Sequence, residues 1–309
     1  TRLNARFTHR VVTNDTATLK NLTYELNASY IHNAGESYAA QHKDRFFEYG
    51  YVGQFTTYKQ KSYEYKDVLT LKDTITGEDI TIYGANEFQG WYDSLVTFQV
   101  NPKYNVNPIL SQYTLNFLEE FPVERINDYL GLPYDLDIYQ RFGALRNGDS
   151  PDMIYSMYYS PGTVLGGYSK SSMDQIGFKA SVSMNIQKHE LKFGFDFEKL
   201  KYRGYGLAPV TLWTLMRNEA NSHITELDKD HWILTDDGEN VWVDYNRLVN
   251  LDDQTVFDRN LRQSLGLDPN GDDWMDIDNM APSTFDIGMF SAEELLLGTS
   301  SGTNPLVSY

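Results

Sequence analysis

The chain is 309 residues long with 43 Asp and Glu against 26 Lys and Arg, a net charge of −17. That balance argues against a nucleic-acid partner and against binding an anionic surface by electrostatics. It has no Cys, which excludes a disulfide framework, a Cys-ligated zinc site and a thiol nucleophile, and no apolar run approaches the ~20 residues of a membrane helix.

Taken in order, the first element is an alternating segment. Leu3, Ala5, Phe7 and Val11 alternate with Asn4, Arg6, Thr8 and Arg10, and His9 is the one polar group on the apolar side. Leu22, Tyr24, Leu26, Ala28 and Tyr30 then alternate with Thr23, Glu25, Asn27 and Ser29. Successive strand side chains point to opposite faces, so each segment reads as a strand with one apolar and one polar side. Phe47, Tyr49, Tyr51 and Phe55 repeat the pattern against Glu48, Gly50 and Gln54, and residues 1–58 are therefore assigned to barrel strands.

Residues 59–173 read as an extracellular insertion. It opens with a charged strand over 63–71. Asn107 is placed to cap a helix beginning at Pro108, with Ile109, Leu110, Tyr113, Phe117 and Leu118 on its apolar face. A shorter helix is expected over 123–130, stopped by Gly131 and Pro133, followed by a turn-rich stretch at 145–151 and a Tyr-rich one at 155–159.

Residues 174–203 carry the most informative signal. Ile176, Phe178, Ala180, Val182, Met184 and Ile186 alternate with polar or small residues; after a break at 188–190, Leu191, Phe193, Phe195 and Phe197 continue in opposite phase. Soluble strands usually alternate over about five or six residues. Here the alternation runs for about twelve per strand, which at ~3.3 Å per residue and a tilt near 40° rises about 30 Å, enough to cross an outer-membrane barrel's apolar band. The pair is read as a transmembrane β-hairpin. The 23 Tyr, 16 Phe and 5 Trp suit the aromatic girdles of such a wall.

Residues 204–309 read as a second extracellular insertion. Pro209 starts a helical stretch carrying Leu212, Trp213, Met216, Ala220 and His223; residues 232–234 and 241–245 flank an Asp237-Gly238 turn; Ser291-Ala292-Glu293-Glu294 is a capping box for a helix ending at Gly298. The fold class expected is all-β: an antiparallel transmembrane barrel with long, partly helical extracellular insertions. About five membrane strands are recognisable where a closed barrel needs at least eight, and the chain begins within a strand without a signal peptide, so a piece of a larger barrel is expected. The competing reading is a soluble β domain with unusually long strands.

The acidic stretch from Asp268 invites a metal reading. Asp268, Asn270, Asp272 and Asp276 fall at positions 1, 3, 5 and 9 of a calcium-loop register, with Asp278 as a further oxygen donor. Asp273 stands where an EF-hand has Gly and Asn279 where it has a bidentate Glu. The expectation is Ca²⁺ in an extracellular loop with a stiffening role, against the simpler alternative of a solvated acidic loop. His223 and His231 have acids nearby, but a helix-borne His223 reads as a hydrogen-bonded structural residue. The pairs Glu119/Glu120, Asp236/Asp237 and Asp252/Asp253 have no partner at a defined distance, and no nucleophile elbow, phosphate loop or zincin helix occurs, so an enzyme is not expected. Asn-x-Ser/Thr matches at Asn14, Asn21 and Asn27 lie in or beside the second strand and carry no argument.

Three stretches resemble a known family: residues 145–151 (Leu-Arg-Asn-Gly-Asp-Ser-Pro) through 160–163 (Ser-Pro-Gly-Thr), residues 188–198 continuing to 212–218 (Leu-Trp-Thr-Leu-Met-Arg-Asn), and residues 286–296 (Asp-Ile-Gly-Met-Phe-Ser-Ala-Glu-Glu-Leu-Leu). Residues 47–55 look similar too. The chain resembles the Oar-like TonB-dependent receptors of the Gram-negative outer membrane, which usually carry a carboxypeptidase-regulatory-like domain. The resemblance implies a 22-stranded barrel with a plug and a TonB box that takes up a ligand on energy relayed by TonB. Its partners would be outer-membrane lipid, the plug, TonB, and a surface lipoprotein or other outer-membrane protein. Plug, TonB box and most strands are not among these residues, no ligand contacts carry over, and Arg217-Asn218 and His189 look like structural signatures. The alternative function is a structural, secretion- or adhesion-associated barrel whose surface loops bind a partner protein.

Overall fold

Strands make up 47% of the chain, so the protein is mostly β, and its strands lie in two sheets. The computed structural model describes residues 1–12, 14, 18–73, 76–122, 143–153, 158–164, 167–297 and 307–308. Among them no closed barrel is formed, and no helix is long and apolar enough to cross a membrane. The chain divides into two compact units. One gathers Thr1–Tyr38, Gly166–Leu207 and Val307–Tyr309; the other comprises Ala39–Leu165 and Ala208–Leu306.

The first unit is a five-stranded sheet in the order β1-β2-β5-β6-β9, antiparallel throughout. Its strands are β1 (Arg2–Arg10), β2 (Leu19–Ser37), β5 (Tyr168–Ile186), β6 (His189–Leu207) and the short β9 (Val307–Ser308). The expected hairpin is present and longer than the apolar alternation alone, 19 residues per strand. Its turn is only Gln187-Lys188, since Ile186 pairs with His189, and Gln187 takes the positive φ (53°) that tight hairpin turns require. Asn21, also left-handed at φ 55°, marks a register shift in β2 between Lys20 and Thr23.

The second unit holds the sheet β3-β4-β8-β7, built from β3 (Gln54–Lys72), β4 (Asp79–Gln99), β7 (Leu227–Asp236) and β8 (Val241–Arg247). Only the β4–β8 pairing is parallel. Leu69, Leu71, Ala85, Phe88, Val243 and Tyr245 form the core on this sheet. Helices α1 (Pro108–Glu120), α2 (Leu212–Glu219), α3 (Val256–Leu265) and α4 (Ala292–Leu297) complete the unit. Leu212, Trp213, Leu215 and Met216 of α2 are all buried, as are Phe257 and Leu261 of α3. Phe257 stacks on Phe290 with ring centroids 4.3 Å apart. The capping box forms as written: the Ser291 N–H donates to Glu294 Oε2 (2.6 Å) and the Glu294 N–H to Ser291 Oγ (3.2 Å).

Several expectations are corrected. Residues 47–55 are not a wall strand: Phe46–Glu48 is a turn of 3-10 helix, and Phe47, Tyr49, Tyr51 and Val52 are buried in the second unit. The backbone there is held by side chains, with Asn107 Nδ2 donating to the Glu48 and Tyr51 carbonyls (2.6 and 2.9 Å). Asn107 therefore does not cap α1, although it occupies the cap position. The strand expected at 63–71 is one arm of a 19- and 21-residue hairpin whose second arm, β4, went unrecognised. Helix α3, capped by Thr255 and closed by left-handed Gly266, is a further element outside the expected set, although Phe257 and Leu261 stand at helical spacing on its buried face. The helix expected at 123–130 with its Gly131 and Pro133 stop, residues 155–157, and Gly298 lie outside the described residues.

Candidate functional site

The first unit has no second layer of described residues over its long strands, and both faces of β1 and most of β6 are exposed. The sheet register then decides what each face presents, because directly paired residues share a face. Phe7 pairs with Leu26, Leu26 with Ala180, and Ala180 with Phe195. The next row runs Ala5, Ala28, Phe178, Phe197; the row on the other side is His9, Tyr24, Val182, Phe193. Four strands separated in sequence thus place their apolar residues on one continuous face, on which Phe193 is 62% and Phe195 58% exposed. From Ile186 to Ile176 this face rises about 25 Å at ~3.3 Å per residue and a ~40° tilt, the height of an outer-membrane apolar band.

The opposite face is polar row by row: Arg6, Asn27, Lys179, Asp196 in one, Thr8, Glu25, Ser181, Gly194 in the next. Several of its charges are paired or hydrogen-bonded. Lys179 Nζ meets Asp196 at 2.8 Å, Arg6 Nε meets Glu25 at 2.7 Å, and Gln175 donates to Glu198. A water-exposed sheet with one apolar face of this extent would be an aggregation template. A sheet between lipid and an aqueous interior has the same two faces by construction.

The second unit is organised around a buried ionic node. Asp278, 1% exposed, lies between Arg146 Nε (2.6 Å) and Arg217 Nη1 (3.0 Å). Asn147 completes it: Nδ2 donates to Asp278 Oδ1 and to the Gly53 carbonyl (3.0 Å each), Oδ1 accepts the Val52 and Gly53 N–H groups (2.7 and 3.1 Å), and its own carbonyl accepts from Arg217 (2.8 Å). Burial lowers the Arg217 pKa from its ordinary value, and Asp278 works against that shift. Gly148 follows at φ +90°, where a Cβ would come within 2.9 Å of the Trp213 Cβ. The run Arg146-Asn147-Gly148 is thus a clamp joining residues 50–53, α2 and the acidic loop.

That node changes the metal reading. Among the described residues no three His, Cys, Asp or Glu side chains gather as an ion-holding group. Asp268, Asn270, Asp272, Asp276 and Asp278 are therefore not brought together as a calcium cage. Asp278 is taken by two guanidinium groups. Asp276 accepts from Thr57 Oγ1 (3.0 Å), and burial pushes its carboxyl up to about 6. Asp268 accepts the Asn270 N–H (3.0 Å) in a local turn, and Asp272 and Asp273 are exposed. Protein groups hold this loop. Left-handed Asn221 brackets Met275 with two bonds of 2.9 Å, and Gln54 Nε2 donates to both the carbonyl and the Oδ1 of Asn279. Trp274 lies under Lys59 Nζ (3.9 Å) and beside Arg247 (4.9 Å).

His223 is a hydrogen-bonded structural histidine but is not on α2, which ends at Glu219; it lies in the 3-10 turn Ser222–Ile224. It is buried, and its Nε2 donates to the Gly271 carbonyl (3.0 Å) beside the Asp258–Arg262 pair (2.9 Å). His231 instead meets Asp228 (2.9 Å) at the surface. Asp236 and Asp237 serve their hairpin turn, accepting the N–H groups of Gly238, Glu239 and Asn240. A polar pocket of about 220 Å³ opens beside the node, lined by Asp93, Arg146, Arg217, Trp274 and Asp276. The chain matches no protein-family model, no curated protein and no solved structure.

Proposed function

We propose that the first unit is a stretch of the wall of an antiparallel transmembrane β-barrel in the outer membrane of a Gram-negative bacterium. The observation that carries this is the row-by-row match of apolar residues across β1, β2, β5 and β6 on one uncovered face, with a polar face behind it on which Lys179 pairs with Asp196 and Arg6 with Glu25. On this reading Phe178, Val182, Phe193 and Phe195 meet lipid, and Lys179, Ser181, Asn185, Asp196 and Glu198 face the barrel interior. Open strand edges in lipid leave backbone groups unpaired at several kcal/mol each. The reading therefore needs further strands beside β1 and β6, as a larger barrel supplies. The second unit, with apolar cores and a buried polar node of its own, is assigned to the water-exposed exterior.

We further propose a non-enzymatic role in ligand uptake driven by TonB, on the resemblance of residues 145–163, 188–218 and 286–296 to TonB-dependent receptors. Cell fractionation with gel migration of unheated and heated samples tests the wall. Recovery in the outer membrane with a heat-dependent mobility shift is expected; recovery as a soluble protein without the shift contradicts it. Uptake that persists in cells lacking TonB would remove the transport assignment and favour a structural or secretion-associated barrel.

A further inference from the structure

The face that carries the apolar rows does not end in neutral residues. Along β6 the positions after Phe193, Phe195 and Phe197 on the same face are Lys199, Lys201 and Arg203, all exposed. The register fixes their side: Lys199 pairs with Ile176, Lys201 with Asp174 and Arg203 with Ser172. Three cations therefore stand in file from the last apolar row outward, at the end of the sheet away from the Gln187-Lys188 turn. None of the three forms an ion pair among the described residues, whereas Arg6, Lys179 and Lys192 of the polar face each have an acid within 3.0 Å. Asp174, opposite Lys201, is engaged by Tyr30 Oη (3.0 Å) and His32 Nδ1 (2.8 Å). Arg203 reaches Asp174 only through space, and in a chain with 43 acids to 26 bases a file of three cations is against the composition.

We propose that Lys199, Lys201 and Arg203 form a docking surface for the phosphate groups of anionic lipid headgroups in the leaflet at that end of the wall. This rests on the membrane-wall reading above. Charge complementarity selects the occupant: the side chains leave an apolar, lipid-facing band at headgroup level, where long basic side chains extend toward phosphate. The net charge of −17 does not oppose this, because fields beyond a Debye length of about 8–10 Å are screened.

The test uses the purified protein reconstituted in phosphatidylcholine vesicles with and without phosphatidylglycerol, with retained lipid read by mass spectrometry after extraction. Wild type should retain phosphatidylglycerol over phosphatidylcholine. The triple variant Lys199→Gln, Lys201→Gln, Arg203→Gln should lose that preference, by on the order of fivefold per charge at low salt. Lys179→Gln and Lys192→Gln on the other face should leave it intact. Equal preference in wild type and triple variant overturns the docking surface while leaving the wall. Displacement of the lipid by inorganic phosphate at equal concentration also overturns it, in favour of a free-anion site. Failure of the wild type to enter vesicles at all, with the protein recovered soluble, overturns the wall reading and this inference with it.

Discussion

The two units handle polar and apolar groups in opposite ways. In the second, Leu212, Trp213, Phe257 and Leu261 are removed from solvent, and the buried Asp278 and Asn147 are paired with each other and with the half-buried Arg146. In the first, Phe193, Phe195 and Leu3 stand uncovered on a single sheet layer, and the charges are in the open on the other face. The second unit supplies its own nonpolar medium; the first is complete only if its surroundings supply one. The difference teaches that alternation alone is not diagnostic. What distinguishes a wall is alternation that stays in phase across neighbouring strands while no protein layer covers the apolar side.

Five substitutions break or sharpen that contrast. The largest effect is expected for Asp278→Ala, which leaves the half-buried Arg146 and Arg217 guanidinium groups without their shared carboxylate. Removing one partner of a buried ion pair costs about 3–5 kcal/mol, so denaturant unfolding followed by Trp fluorescence should show the second unit destabilised by that order. Next is Phe195→Arg, expected to cost about 2–4 kcal/mol in a vesicle-folding assay if it lies near the bilayer midplane. Asp196→Ala, one residue on and facing the other way, should be much milder. Equal tolerance of the two would remove the distinction between the faces.

A smaller effect with a definite sign is expected at Asp276. Its carboxyl is pushed up to about 6 by burial, so the folded chain holds this proton more tightly than the unfolded chain does. The stabilisation is complete below the unfolded value near 4 and is lost as pH rises through about 6. The second unit should therefore be more stable at pH 5 than at pH 8. Asp276→Asn should flatten the profile and gain about 1–2 kcal/mol at pH 8. Part of the slope should survive in that variant, because burial also raises Glu219 to about 6, helped by Glu294. The smallest effect is at the cap of α4. Ser291→Ala should cost about 1 kcal/mol, read as earlier loss of amide protection in α4 with the wall strands unchanged.

Strong, long-period signals were legible in the sequence. The β5–β6 hairpin, β1, β2, α1, α2, the β7–β8 hairpin and the capping box all carry local patterns that the fold keeps. Local patterns also explain the errors. Phe47, Tyr49 and Tyr51 alternate as a strand does, but they are buried by packing from Trp213 and Phe285 and by the Asn107 and Asn147 side chains. β4 is interrupted by Gly84 and Gly90, both at positive φ, which blurs its period of two. The Asp268–Asp278 spacing suggested an ion because alternate acids can converge on one. Whether an acid has a guanidinium beside it is set by Arg146 and Arg217, far away in the chain, and no local pattern records that.

The most direct measurement uses the absence of Cys. Single Cys residues introduced in turn from Leu191 to Glu198 of the reconstituted protein, each carrying a nitroxide, report access to oxygen in the lipid and to a water-soluble nickel chelate. The account predicts alternation with a period of two: positions 191, 193, 195 and 197 favour oxygen, and positions 192, 194, 196 and 198 favour nickel. Uniform access to nickel along the whole strand would contradict the claim that this face meets lipid.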